Sequence, residues 1–352
     1  MHMDEKCVPV TSPRAAVLAG LGAALPQRVV DNADISQFID TDDRWIRSRT
    51  GITSRHWVRK GTATGDLAVE AGSAALKSAG SCTVDMLILA TSTPNNTMPA
   101  TAPEVAHRLG LGNIPAFDVS VACAGFIYGL ANGAHAIVSG FVDRALVIGA
   151  DIWSNRLDYA DRATAILFGD GAGAAVLRSG SEAENGVFRE FDLGSDGSLK
   201  DLAVLADGGS RQRASEYAPR HGEDCLAMQG KGIFVHAVNR MSESSRDLLK
   251  KVGWEAEDVG WVVAHQANAR ILNTVADVLG VDRERLIIHL DRVGNTSAAS
   301  IPLALTDAAS SGRLASGDRV LLTAFGGGLS WGSAVVRWPD IEVSPVVVAR
   351  DL

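Results

Sequence analysis

Three side chains in this 352-residue chain are of types and in settings that could do chemistry together: Cys123, His265 and Asn295. Cys123 lies in AFDVSVACAGFIYGLANGAHAIVS, residues 116–139, where a short β-rich run, Ala116 to Val121, turns through Ala122-Cys123-Ala124-Gly125. An apolar helix of small residues follows, Gly125 to Val138. A thiol at a helix N-terminus faces unpaired backbone N–H groups and the positive end of the helix dipole. Both favour the thiolate, which is the nucleophilic form. A buried, unreactive cysteine would leave the same pattern, since free cysteine commonly packs as a small apolar side chain. His265 follows the apolar run Trp261 to Ala264 and so points into a constrained site. An imidazole beside a thiol can activate it or stabilise its charge. Asn295 sits in a Gly-Asn-Thr-Ser turn, where its amide can donate to a developing oxyanion. The backbone N–H groups of Cys123 and of the turn Gly326–Gly328 could form a second oxyanion hole. A Cys-His-Asn set also occurs in thiol proteases, where the Asn orients the His, but the flanks here are unlike theirs.

The elements that must position these residues alternate between strand and helix. Strands are expected at Ala16 to Leu25, Met86 to Ala90, Arg144 to Ala150, Trp261 to Ala264, Leu286 to Leu290, Val320 to Ala324 and Leu329 to Trp338. Helices are expected at Asn32 to Ile39, Asp66 to Ala79, Ala102 to Leu109, Val235 to Val252, Arg270 to Leu279 and Ile301 to Ser310. The glycines at 169, 171 and 173 do not follow a strand and open a helix, so they read as a tight strand turn, not a phosphate loop. Residues 1–13 read as a loose leader and 339–352 as surface chain. In the charged stretch DTDDRWIRSRTGITSRHW, Trp45 and Arg49 are one helical turn apart. They could hold a nucleotide base and a phosphate, but on these residues alone an ordinary surface helix is the favoured reading.

The chain repeats itself. VDMLILATSTPNN and VGWVVAHQANAR are each a strand ending in a polar loop. PAFDVSVACAGFIYGLANGAHAIVSG matches LIIHLDRVGNTSAASIPLALTDAASSG as strand, small-residue turn and buried helix. RALVIGAD…FGDGAGAAVLR matches DRVLLTAFGGGLSWGSAVVRW as strand, glycine turn and returning strand. A duplicated β/α unit follows, with halves at residues 14–190 and 228–338 and a connector at 191–227. Two such units pack face to face into one core with their loops meeting at the joint. Cys123, His265 and Asn295 occupy those loops and are expected to converge.

Composition bounds the function. The chain is 46% hydrophobic and 5% aromatic, which suits a globular α/β enzyme with an aliphatic core. A formal charge of −8 gives no whole-chain attraction to nucleic acid or an acidic membrane surface. Four cysteines, at 7, 82, 123 and 225, form no CxxC pair, so no zinc site or disulfide framework is indicated. No signal region or membrane-length apolar run is visible, and a cytoplasmic location is expected.

With these residues in place, the sequence resembles the β-ketoacyl-acyl-carrier-protein synthase III family of the thiolase superfamily. The motifs that carry the resemblance are DDRWIRSRTGI (42–52), ACAGF (122–126), DRATAILFGDGAGAAVL (161–177), HQANARI (265–271), GNTSAAS (294–300) and FGGGLSWGSA (325–334). The resemblance implies a five-layered αβαβα sandwich, usually a homodimer, with acyl-CoA as substrate and no cofactor or metal. It implies that Cys123 carries the acyl group, and that His265 and Asn295 bind the malonyl carrier-protein thioester and stabilise the enolate as CO2 leaves. The N–H groups of Cys123 and Gly327 would form the acyl oxyanion hole, with Phe325 beside the nucleophile. Trp45, Arg49 and Arg162 match the residues that hold CoA. Met98 stands where relatives often have a Phe that closes the partner subunit's acyl pocket. Asp277, Val278 and Val235 stand where relatives often have Lys, which leaves Arg270 as the cation for an acidic carrier protein. Two other readings stay open: acyl transfer to an oxygen or nitrogen acceptor without loss of CO2, and an inactive acyl-CoA-binding scaffold.

Overall fold

The computed structural model describes residues 14–206, 208–213 and 224–349; the expected leader, Cys7 and part of the connector lie outside these. In chain order the main elements of the first half are β1 (Arg14–Pro26), α1 (Asp43–Thr50), α2 (Thr64–Ser78), β2 (Met86–Ala90) and α3 (Ala102–Arg108). They are followed by β3 (Ala116–Val119), α4 (Gly125–Val138), β4 (Arg144–Asp151) and β5 (Gly171–Ser181). Then come β6 (Phe188–Ser195), α5 (Gly230–Val252), β7 (Trp261–Ala264), α6 (Ala269–Leu279) and α7 (Ser300–Ser310). The chain closes with β8 (Arg319–Gly326), β9 (Ser330–Arg337) and β10 (Val347–Ala349).

Two mixed sheets form, in the orders β10-β1-β5-β4-β2-β3 and β7-β8-β9-β6. Their logic is the same. β2 runs parallel to β3 and β4, and β5 returns antiparallel between β4 and β1. β7 runs parallel to β8, and β9 returns antiparallel between β8 and β6. The two halves of the sequence repeat are therefore two copies of one sheet pattern. The expected division at residue 190 falls inside β6, which pairs with β9 in the second sheet.

Helices α4 and α7 lie between the sheets, α2 and α3 cover the first, and α5 and α6 cover the second. The result is the five-layered αβαβα sandwich. The central layer is built from Phe126, Ile127, Leu130, Ile137, Ile301 and Leu305, packed against Ile88 and Val147 on one side and Val263 and Leu322 on the other. Helix α4 is apolar on nearly every face because both faces are covered.

Local chemistry sets the helix ends. The Asp42 carboxylate accepts the Trp45 N–H at 2.7 Å to start α1, which Gly51 ends at φ 81°. Asn268 Oδ1 accepts the Arg270 N–H at 2.8 Å to start α6.

Four expectations change. The helix from Asn32 stops at Ile35, capped by Asp31. Gly171 and Gly173 are inside β5, where a Cβ on Gly173 would lie 2.7 Å from Pro302 of α7, so close helix–sheet approach and not a turn explains them. The tail is not all surface chain, since β10 adds to the edge of the first sheet alongside β1. The expected strand Leu286 to Leu290 is reduced to a single bridge, Val262 to Leu286. The cause is Gln266, a fully buried side chain that takes over the ladder's hydrogen bonds. Its Nε2 donates to the carbonyls of Ala264 (2.8 Å) and Ile287 (3.1 Å). Its Oε1 accepts the N–H groups of His289 (2.8 Å) and Leu290 (3.1 Å).

Replacing Gln266 by the similarly sized Leu orphans four buried backbone groups. Q266L is expected to lower stability by about 3 kcal/mol. A shift in the urea midpoint at constant slope measures it; an unchanged midpoint refutes this role.

Candidate active site

Cys123 sits in a 3-10 turn, Ala122–Ala124, between β3 and α4. The turn opens with Ala122 at φ 45°, a conformation that L-residues rarely adopt. The end of β8 passes directly beneath. A Cβ on Gly326 would lie 2.7 Å from the Cys123 nitrogen, so only glycine permits the approach. The Cys123 sulfur lies 3.4 Å from the Ser297 hydroxyl. Burial pushes the thiol up to about 12, against the lowering effect of the Ser297 hydrogen bond and with the nearby Asp151 charge adding to the rise. This corrects the expectation of a thiolate in the free protein. Cys123 precedes the first residue of α4, and desolvation outweighs the helix terminus.

His265 follows β7, and its backbone N–H donates to the Thr323 carbonyl of β8 at 2.8 Å. The ring is 3% exposed, and Nδ1 is 2.7 Å from the Ser300 hydroxyl at the start of α7. That contact leaves Nε2 as the nitrogen for the cavity. Burial lowers its pKa to about 3, so the ring is neutral at physiological pH.

Asn295 is held from three directions. Its N–H donates to the Leu167 carbonyl (2.8 Å) and its carbonyl accepts from Gly169 N–H (3.0 Å). Its side-chain Oδ1 accepts the Ser297 N–H at 2.9 Å, which fixes the amide so that Nδ2 is the end left to donate.

All three residues line one cavity of about 890 Å³. Gly326, Gly327 and Phe325 line it too, so the structure brings together the residues expected at the nucleophile. Its wall also includes Trp153, Phe168, Leu205, Leu226 and Met228. These belong to an apolar cluster against which Trp45 packs. Arg162 stacks on the Trp45 ring at 4.4 Å and Arg49 at 5.7 Å, so the three expected CoA residues form one group against that cluster. Met98 is not part of this cavity wall; it is 87% exposed. Arg270 is exposed at the start of α6 and donates to the Ser48 carbonyl of α1 at 3.0 Å.

Four residues went unread in the sequence: Ser297, Ser300, Gln266 and Asp151. Both serines lie within GNTSAAS, and Gln266 lies within HQANARI, but nothing in their types separates them from ordinary polar turn residues. Asp151 gave a fainter signal, as an acid ending the apolar run RALVIGA.

The thiol's raised pKa has a measurable consequence. Below that pKa the thiolate fraction grows tenfold per pH unit, so alkylation of Cys123 in the free protein should climb about tenfold per unit from about pH 7 to about pH 10 without a plateau. A plateau near neutrality would contradict the burial argument.

Two family models match the chain: 3-oxoacyl-(acyl-carrier-protein) synthase III at residues 117–197 and its C-terminal part at 249–338. A β-ketoacyl-(acyl-carrier-protein) synthase III of Streptomyces coelicolor is 59% identical over 327 residues, 93% of this chain and 98% of the relative. The crystal structure of the Pseudomonas aeruginosa 3-oxoacyl-(acyl carrier protein) synthase III superposes with a TM-score of 0.87 at 48% identity, covering 93% of this chain and 99% of that one. The structure of a priming β-ketosynthase from a polyketide biosynthetic pathway also has a TM-score of 0.87, at 32% identity over 95% of this chain and 99% of that one. With this fold, this cavity and relatives of this identity along nearly its whole length, the chain belongs to the β-ketoacyl-(acyl-carrier-protein) synthase III family.

Proposed function

We propose that this protein is a condensing acyltransferase that loads an acyl group from acyl-CoA onto Cys123 and joins it to malonyl carrier protein with loss of CO2. One observation carries the reading. A single cavity holds a thiol, a neutral imidazole whose Nδ1 meets the Ser300 hydroxyl, and an amide whose Oδ1 accepts the Ser297 N–H.

The chemistry runs in two halves. In the first, the Cys123 sulfur attacks the acyl thioester carbonyl, the C–S bond to CoA breaks, and the thiol proton passes through solvent to the departing CoA sulfur. The N–H groups of Cys123 and Gly327 receive the oxyanion, with Phe325 walling the nucleophile. In the second, the malonyl thioester carbonyl accepts from His265 Nε2 and Asn295 Nδ2. With the Ser300 hydroxyl 2.7 Å from Nδ1, the tautomer in which that hydroxyl donates leaves the imidazole proton on Nε2, and this is the one the step requires. As CO2 departs, its bonding electrons pass into the enolate, whose charge these two donors stabilise. The enolate carbon attacks the acyl-Cys123 carbonyl, a C–C bond forms, the Cys123–acyl bond breaks, and the departing sulfur takes a proton from water. Both oxyanions are met by preorganised donors, which suits a reaction with no resident cofactor.

Trp45, Arg49 and Arg162 supply a stacking face and two cations for the CoA adenine and phosphates. Arg270, exposed near that group, is the cation offered to an acidic carrier. A homodimer is supported by the edge strand β3, whose outer side carries no partner strand among the described residues, by Phe117 exposed on that strand and by the exposed Met98. In such a dimer Met98 would reach the partner's acyl pocket. A cytoplasmic setting suits a carrier-protein substrate, and no helix among the described residues is long and apolar enough to cross a membrane. The relation to a priming ketosynthase supports a role in fatty-acid initiation or polyketide priming. Transfer to an oxygen or nitrogen acceptor is the weaker reading, because it does not require the pinned His265–Asn295 pair.

The test is CO2 release from carboxyl-labelled malonyl carrier protein across a panel of short acyl-CoAs, with intact protein mass read alongside. Release that depends on one acyl-CoA names the starter. C123A should show no acyl adduct. H265A should still be acylated but lose decarboxylation by roughly 10²–10³-fold. An acylated protein that releases no CO2 with any carrier would shift the reading to the other acceptor class.

A further inference from the structure

Side-chain polar atoms buried without a partner are rare in folded proteins, and each calls for a reason. Seven are so placed among the described residues, and one of them belongs to a residue in the wall of the cavity that holds Cys123: Nε1 of Trp153. Trp153 is 5% exposed. An indole nitrogen is a donor only, and the ring fixes its direction, so it cannot rotate to another acceptor as a hydroxyl can. Trp57, in the same apolar cluster, shows the usual outcome: its Nε1 donates to the Phe168 carbonyl at 3.0 Å. The Trp153 ring meets the Phe168 ring instead, with centroids 5.4 Å apart and planes at 40°.

The backbone on both sides of Trp153 is tied down. Ile152 N–H donates to the Thr93 hydroxyl at 2.8 Å. Ser154 donates to the buried Asp170 carboxylate from its N–H (2.9 Å) and its hydroxyl (2.6 Å). The Trp153 carbonyl accepts Arg156 N–H at 2.8 Å. Thr93 lines the same cavity as Cys123, so the segment carrying Trp153 is anchored at the cavity wall. The wall's other members from this cluster are apolar: Phe168, Leu205, Leu226 and Met228. The arrangement is one fixed donor in an apolar setting, held by packing and by hydrogen bonds at its neighbours.

We propose that Trp153 selects the starter acyl group, donating from Nε1 to an oxygen carried on the acyl chain. This rests on the reading of Cys123 as the acyl carrier. The class it favours is short acyl groups with an ether or keto oxygen beyond the thioester. An apolar wall with one fixed donor matches an alkyl chain with one acceptor. It is a poorer match for the pantetheine arm of CoA, whose two amides each need a donor and an acceptor. The Trp153 N–H is already removed from water in the folded protein, so an acceptor placed on it gains a hydrogen bond without that desolvation cost. A hydrocarbon chain of the same shape gains none.

Matched acyl-CoAs test this, each pair having oxygen where its partner has carbon: methoxyacetyl against butyryl, β-methoxypropionyl against pentanoyl, and acetoacetyl against isovaleryl. The second-order rate of Cys123 acylation is followed by intact mass. Wild-type protein should favour the oxygen-bearing member of at least one pair by roughly 10-fold, and W153F should bring that ratio to about 1. W153F keeps a ring and removes the donor. Any widening of the pocket acts on both members of a pair, so the ratio isolates the N–H. Wild-type protein with no such preference in any pair overturns the proposal without recourse to a variant. A W153F that keeps the wild-type ratio also overturns it, and assigns Trp153 a packing role alone. Wild-type protein that takes no acyl group from any acyl-CoA fails the underlying reading instead, and is told apart by the missing mass adduct.

Discussion

The rest of the structure depends on a reciprocal contact between the two halves. The turn that carries Cys123 in the first half rests on Gly326 at the end of β8 in the second. The turn at Ala298 in the second half rests on Gly149 of β4 in the first, where a Cβ would lie 2.2 Å from the Ala298 carbonyl. Both approaches are closer than any side chain allows. Together they seat α4 and α7 side by side between the sheets and bring the ends of both sets of strands to one place. The cavity is a product of that seating. Its thiol comes from the first half, its imidazole and amide from the second.

Burial in this joint sets the electrostatics. The same low-dielectric surroundings raise the pKa of a thiol and lower that of an imidazole, because each is pushed toward its neutral form. The free protein therefore holds a neutral pair, not the thiolate–imidazolium pair familiar from thiol proteases. Neutral donors suit a reaction whose charge appears only in passing. In the proposed reaction they make no strong ion pair in the resting state and gain most as an oxyanion develops. Their aim is then what matters, and Ser300 on Nδ1 and Ser297 N–H on Oδ1 hold it.

The sequence alone determined the repeat and the three residues at the joint, and its resemblance to the synthase III family supplied the αβαβα architecture. Periodicity and turn chemistry are local properties, and Met86–Ala90, Gly125–Val138 and Trp261–Ala264 begin and end where their side-chain patterns place them. Duplication made the inference stronger than any single element, because each half predicted where the other's loops lie. Tertiary structure decided what local pattern cannot encode. Leu286 to Leu290 has a strand's composition, yet the side chain of Gln266, 21 residues away from Ile287 in sequence, replaces its ladder. The tail reads as surface chain, yet an open sheet edge at β1 recruits Val347–Ala349. The protonation state of Cys123 went the opposite way from the sequence argument, because a helix terminus is visible in the chain while the depth of burial is not. Ser297, Ser300 and Asp151 acquire meaning only through partners 174, 35 and 147 positions away, and distance in the chain carries no record of contact in the fold.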